Sequence, residues 1–595
     1  MFLILGGLAL TGAVVLLAVA AFTQAPVDQN EAIRHSRNGI VFMRQHLYHA
    51  AIQEFEAAIR QSPQALDPWI GLAAVHIRLG NGPKALEGAG KAVNIAENSA
   101  DVQLVLGRAH WLVRNFSDAE RAALKVTDLD PSNTGAAELL LRIYFDRKDD
   151  VKFQEVLDRT DEPSRAAQEL AVQFAIRKSE FRRAWELRNS FDRRELEKEV
   201  LRSELQLKRE PGSTELYPAL VTNLIRLGRP EAAIAASREY RGPRKLDLEL
   251  GKAYWLSGDR AEAVSAFTRA SLGRTYKLPA QIALAALTGD RKHWDEAFRA
   301  EWIVKDHFVL AQLESLLKEA PPLEKALIYR YAGLFDQELF NDAAREALAA
   351  LDSQPDEFDA LMTLSTAYSR LNRIDDAIRY VRQGSERYPE RAEIWSRLGQ
   401  LYLAKGDLTG AEQSLERAVR LAPRNPSGLY NYAWFLDQVD RDKEAVPYYQ
   451  RAIAASPLSF EAMNNLALIE DASGRSGRAL DLLNQAVDSN PENETAYLNR
   501  ANYYAMLHQW RNALADYARV REINPLNTYA VIESARTHME LSRDDIAIEE
   551  LGEALDFDPT ASEAYVLLSS IYKKQGREME AAAALEESRQ IPQAR

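Results

Sequence analysis

Few side chains in this sequence could bind a metal or move a proton. The chain has nine histidines and no cysteine, which excludes disulfides, thiol catalysis and cysteine metal sites together. His46 and His49 stand three apart in RQHLYHA, a helical spacing that would bring two imidazoles to one metal, but no third ligand lies near them. His76, His110 and His538 occupy a position where Tyr or Phe stands elsewhere, as at Phe42, Tyr254 and Tyr402, so aromatic-like filling accounts for them. The acidic pairs Glu549–Glu550 and Asp375–Asp376 belong on or beside outward helix faces, where solvation is their default role. No Gly-rich phosphate loop, nucleophile elbow or HExxH motif appears. The chain therefore reads as a protein that is not an enzyme, with no catalytic residue, cofactor or metal site assigned. What does recur is an amide: Asn431, Asn465 and Asn499 lie 34 residues apart, and an amide side chain offers a peptide unit both a donor and an acceptor.

The elements that position these side chains follow from hydrophobic spacing. From Ala392 to Lys405, Trp395, Leu398, Gly399 and Tyr402 fall on one face of an amphipathic helix. Gly406 and Asp407 carry a turn signal, a second helical pattern places Ala411, Leu415 and Ala418 on one face, and Pro423 ends it. A hairpin of two such helices cannot bury its own apolar face. Stacked copies can, and a fixed period is the sign of that arrangement.

The period is 34. Prolines recur at that step at Pro355, Pro389, Pro423, Pro457, Pro491, Pro525 and Pro559. The alanine that opens the second helix keeps it too, at Ala343, Ala377, Ala411, Ala445, Ala479, Ala513, Ala547 and Ala581. An earlier array begins near Ala32, with Gly39, Phe42, Ala51, Phe55, Ala58 and Pro63 in the same slots, then Trp69, Leu72 and Ala85, then Gly107, Ala119 and Pro131. The middle is less regular: Gly251, Tyr254, Gly258, Ala263, Phe267 and Ala270 form one good copy, while Trp302 to Leu323 is helical but off register. That skipped period, with Pro321 and Pro322, is where an array of stacked copies is expected to bend most easily.

This Trp/Leu/Gly/Tyr/Ala/Phe/Ala/Pro series resembles the tetratricopeptide repeat, from about Ala32 to Arg595. The resemblance implies an all-α, right-handed superhelical solenoid of helix-turn-helix repeats, the first helix of each lining the inner wall of a groove. On that basis the position just before the usual Leu slot points inward, and it reads Thr363, Arg397, Asn431, Asn465 and Asn499. Tyr430, Trp434, Asn464 and Asn502 fall in neighbouring inward slots. Repeat proteins with such an asparagine series resemble those that hold an extended peptide by its backbone. The competing reading is that asparagine is common in this slot and satisfies neighbouring helices. The carboxylate clamp of chaperone-binding members needs Lys or Arg with Asn in set slots, and Ser396, Gln400, Tyr430 and Trp434 do not supply it.

Net charge is −13, and the predicted pI is about 5.4, so a sequence-independent phosphate-binding surface is disfavoured and no nucleic acid is expected as a partner. Phe2 to Phe22 is 21 residues without a charge, about 30 Å as a helix, which matches a bilayer core. A cleaved signal peptide competes with this, since AVAAFTQAP offers small residues near a cut. The length of the run favours a retained anchor.

The sequence is thus expected to divide into a transmembrane anchor or uncleaved signal over 1–24, an N-terminal repeat array over 25–160, degenerate helical repeats over 161–323 that include good copies near 210–277, and a regular array of eight 34-residue repeats over 324–595. The expected protein is a single-pass membrane protein of the bacterial inner membrane, its repeats on the extracytoplasmic side. It would be a scaffold that binds protein partners or extended peptides to assemble a membrane or envelope complex. Two alternatives stand beside it: a structural subunit permanently bound in one membrane complex, and an envelope polysaccharide export factor in which Trp434 and Tyr430 stack on glycan rings.

Overall fold

The alanine column decides how the helices pair. Ala343, Ala377, Ala411, Ala445, Ala479, Ala513 and Ala547 have no exposed surface and Ala581 is 5 % exposed, because each opens a second helix where it crosses closest to the first. At Gly399 the approach is closer still: a Cβ there would lie 2.4 Å from Leu415 Cγ and 3.2 Å from the Ala411 carbonyl oxygen. Two helices so joined form the unit of the fold.

A computed structural model describes residues 30–591 except 161–162, 192, 211–212, 214–215, 242–245, 273–276, 299–305, 319, 457–458, 490–492 and 525–526. The described residues hold 34 helices and no strand. Consecutive helices pair as antiparallel hairpins, such as Ala392–Lys405 with Leu408–Leu421 and Pro426–Gln438 with Asp442–Ala455. Pro457, Pro491 and Pro525 of the proline series lie outside the described residues.

The turn within each hairpin has its own 34-residue column. His46, Gly80, Arg114 and Lys148, and later Asn372, Gly406, Asp440, Gly474, His508, Ser542 and Gly576, all have φ between 57° and 84°. In this left-handed conformation Asp407 N–H donates to the Tyr402 carbonyl at 2.9 Å and Gly406 N–H to the Leu403 carbonyl at 2.9 Å. These bonds satisfy carbonyls that the helix end would otherwise leave unpaired.

The helices form two compact units. One takes the chain up to Leu170 together with Asn493–Arg595, and the other is Ala171–Glu492. In the second, Phe181, Phe308, Val309, Leu313 and Tyr331 share one apolar core. Trp185 and Trp255 meet Phe308 edge-on, with ring centroids 5.7 and 5.9 Å apart. The off-register stretch expected to bend is, over His307–Leu317, a helix whose Phe308, Val309, Leu310 and Leu313 are all buried. A skipped repeat has been absorbed by packing the helix against Phe181–Phe191. Pro322 then opens the next helix, Pro322–Ala332, at its first position. In the first unit, the first hairpin, Asn30–Arg44 with Tyr48–Gln61, packs beside the last helix, Glu578–Gln590.

The expectation of a single-pass membrane protein is corrected. Among the described residues no helix is long and apolar enough to cross a membrane, and the stretch 2–22 on which that expectation rested lies outside them.

Candidate partner-binding faces

In the unit Ala171–Glu492, the recurring polar position connects one repeat to the next. Arg397 Nε donates to Ser365 Oγ at 2.8 Å and its Nη2 to the Ser365 carbonyl at 3.1 Å. One repeat on, Asn431 Nδ2 donates to Ser396 Oγ at 2.8 Å. One further on, Asn465 Nδ2 donates to the Tyr449 hydroxyl at 3.0 Å. Thr363, the first of the series, is fully buried and its hydroxyl has no partner. Asn431 is thus engaged by its own repeats through one amide N–H and Asn465 through Tyr449 and Tyr430, which leaves further hydrogen-bonding positions on each amide.

Tyr430 and Tyr449 lie with ring centroids 6.1 Å apart. Burial, and after it the Glu461 carboxylate, push the Tyr430 hydroxyl up to about 12, against a hydrogen bond from Asn465. Burial raises Tyr449 as well. Both stay protonated and can donate. Asn464 is 2 % exposed with an unpartnered Oδ1, and Trp434 is half-buried on the same helix as Tyr430 and Asn431. Nearby, burial, and then the Arg370 guanidinium, lower Arg397 to about 10, so it remains a cation at neutral pH.

Asn499 and Asn502 belong to the other unit. Asn499 is half-buried on the helix Glu494–Met506. Asn502 bridges two tyrosines: Tyr517 donates to its Oδ1 at 2.7 Å, and its Nδ2 donates to the Tyr529 hydroxyl at 3.3 Å. These three line a hollow of about 310 Å3 with Trp510, Glu533 and Arg536. Tyr529 is 47 % exposed at its mouth. Burial holds the Glu533 carboxyl above the usual range even though Arg536 lies 3.3 Å away.

The 34-residue step marks the asparagines in the sequence, but not what holds them. Tyr449 and Tyr517 stand in a core slot filled by Leu at Leu415, Leu483 and Leu551. A tyrosine in a leucine slot carries a hydroxyl that must find a partner, and that substitution was the available signal. Glu550 is a second miss: it is 8 % exposed, accepting from Arg521 at 2.8 Å and from Ser534 at 3.0 Å. Its neighbour Glu549 is the solvated one. His76 is 5 % exposed, and Nδ1 of His76, His110 and His538 is buried without a partner, as filling side chains require. His46 and His49 diverge to different carboxylates, Asp556 and Glu587, and no group of three or more metal-ligating side chains occurs among the described residues.

Models of the tetratricopeptide repeat match residues 42–109, 362–426, 443–494, 469–528 and 562–591. Among curated proteins, the chain is 31 % identical over 135 residues to the protein O-mannosyl-transferase Tmtc1 of Drosophila melanogaster. It is 26 % identical over 127 residues to the tetratricopeptide repeat-containing protein trd-1 of Caenorhabditis elegans. These alignments span 22 % and 21 % of this chain, and only 16 % of each relative. Among solved structures, the APC/C hetero-tetramer Cut9–Hcn1 aligns over 85 % of this chain and 96 % of its own, at 14 % identity and a TM-score of 0.35. Naa15/Naa10 bound to HypK-THB aligns over 94 % of this chain and 100 % of its own, at 13 % identity and 0.35. The hairpins described above, over the matched segments, are tetratricopeptide repeats.

Proposed function

We propose that the protein is a binding scaffold that holds extended segments of partner proteins on amide and tyrosine groups carried by successive repeats. The observation that carries this reading is the hollow at Asn502. Its Asn502–Tyr517–Tyr529 chain of hydrogen bonds leaves a half-exposed aromatic rim above polar groups able to donate and accept, the mixture that fixes a peptide backbone and one side chain together. In the other unit Asn431 and Asn465, with Tyr430, Trp434 and Asn464, supply the same chemistry. A place in a membrane or bacterial envelope assembly draws no support from the described residues. Mannosyl transfer, named for a relative of which the alignment covers 16 %, forms no part of the proposal.

The test starts from peptides selected out of a displayed library of unstructured sequences against the purified chain. Replacing Asn499 and Asn502 with Ala removes amide contacts contributing roughly 0.5–1.5 kcal/mol each, so affinity should fall on the order of tenfold or more. A separate Asn431→Ala/Asn465→Ala variant tests the other face. Selected peptides that bind both variants as tightly as the parent, with helical circular dichroism unchanged, would overturn the assignment.

A further inference from the structure

The turn of the first hairpin carries more than a turn needs. Leu47, which follows the left-handed residue His46, has no exposed surface, and it belongs to one apolar cluster with Val531, Leu551, Leu555, Tyr565 and Leu568 of the C-terminal repeats. Phe42 and Ala50 pack against the same cluster. The next residues are held by charge. His49 backbone N–H donates to Glu587 Oε1, and its ring Nδ1–H donates to Glu587 Oε2 at 2.6 Å. A carboxylate accepts only, so the proton sits on Nδ1. Glu587 is 2 % exposed, which leaves it few partners other than this imidazole. His46 lies 4.0 Å from Asp556, and a Cβ on Gly552 would come within 3.7 Å of its Nε2, so the last two hairpins offer a fitted seat for the turn.

We propose that this contact is a proton-tuned latch, in which the imidazolium of His49 clasps Glu587 and helps seat Leu47 in the C-terminal apolar cluster, and loss of the Nε2 proton leaves a neutral Nδ1–H bond to Glu587 that loosens the first hairpin. Apolar faces of stacked repeats need cover; here the turn of this hairpin and the helices from Thr528 to Gln590 cover part of each other through one small loop, so a single charge-assisted bond has leverage over the seat. The groups around His49 define the working range. On Glu578–Gln590, Glu587 and behind it Glu586 favour the imidazolium, while Lys84 opposes it. His76 also faces it. Tyr565 stands near Tyr48 and Glu587. Within the first hairpin His35 is taken by Glu54 at 2.7 Å. The Glu587 hydrogen bond raises His49 above 6.5, so its contribution is complete below about pH 6.5 and disappears as the pH rises through the raised value. His46 acts the other way: burial, opposed by Asp556, lowers it, so its contribution is present above 6.5 and is lost on acidification. The latch should be tightest near neutrality on the acid side and looser on the alkaline side, where the bond to Glu587 loses its charge assistance.

The absence of native cysteine makes the test direct. Gln53→Cys and Arg589→Cys, both exposed, carry a pair of spin labels on the full chain, and the interspin distance distribution is recorded between pH 6 and pH 9. A single narrow, short distance at pH 6.5 is expected, with a longer, broad population growing on the order of tenfold toward pH 9. His49→Gln keeps Glu587 in place and removes the titrating group, so its distribution should not change over that range. Glu587→Gln should open the latch at every pH. If Glu587→Gln instead loses the last helix by hydrogen exchange, His49→Gln alone decides. A parent distribution that is constant from pH 6 to pH 9, or a His49→Gln variant that still opens like the parent, overturns the latch.

Discussion

His76 stands where other repeats place Tyr or Phe, and it behaves as a ring first and a base second. Burial, with help from Lys84, lowers it to about 4. Its folded value lies below its unfolded one, so its contribution is whole above pH 6.5 and is lost as the pH falls from 6.5 through 4. His76→Phe should flatten the decline of the melting temperature over that window while leaving it unchanged at pH 8. A parallel decline in both proteins would place the acid sensitivity elsewhere. The asparagines make a different point. Asn465 donates to Tyr449 and Asn431 to Ser396, and Tyr449 itself donates to Asp437 at 3.3 Å, so Asn465→Ala removes a half-buried bond while the hydroxyl keeps a partner, at a cost of about 1 kcal/mol in urea unfolding. A double Asn465→Ala/Tyr449→Phe variant should lose more, because the Asp437 carboxylate then loses the hydroxyl that donates to it. The asparagine column was plain in the sequence. Its partners were not, because spacing reports which face a residue lies on and is silent about which of two neighbouring helices its side chain reaches.

At the scale of the hairpin, the chain repeats a backbone requirement with varied residues. The left-handed turn position is glycine at Gly80, Gly406, Gly474 and Gly576 but Arg114, Lys148, Asn372, Asp440, His508 and Ser542 elsewhere. A Cβ at Gly406 would meet nothing within 4 Å, so the cost of Gly406→Ala is backbone strain alone, about 1 kcal/mol or somewhat more. Ser542→Gly should stabilise by up to about 1 kcal/mol for the same reason. Gly90 supplies the control: it lies inside the helix Gly82–Ile95 with ordinary φ and open space at its Cβ position, so Gly90→Ala should stabilise by about 0.5–1 kcal/mol. One substitution, Gly to Ala, is thus expected to shift the urea midpoint in opposite directions at two sites. Helices, turns and buried alanines were all legible at this scale, since each follows from local spacing. The helix His307–Leu317 was legible as an off-register helix, but its partners were not, because a missing period looks the same in sequence whether the array bends there or packs sideways.

For the whole molecule, a 34-residue period speaks only of neighbours, and nothing in it tells that the first hairpin meets the last. That contact joins residues 538 apart, as between His49 and Glu587, and a closure of such length costs more chain entropy than stacking adjacent repeats. It should therefore form late in folding, after the repeats on either side of it. Leu47 is the residue on which this turns. It is the one fully buried member of the C-terminal cluster supplied by the first hairpin, and Leu47→Ala should cost about 2–4 kcal/mol if the seat does not collapse. A solenoid without end contact would confine that loss to Asn30–Arg44 and Tyr48–Gln61. With the ends seated on each other, amide hydrogen exchange should quicken in Ser562–Lys574 and Asp544–Phe557 as well, while Ala392–Lys405, in the other unit, keeps its protection. Loss of protection limited to the first hairpin would show that Leu47 stabilises its own repeat alone, and faster exchange at both ends of the sequence would show that the two ends fold as one cooperative body.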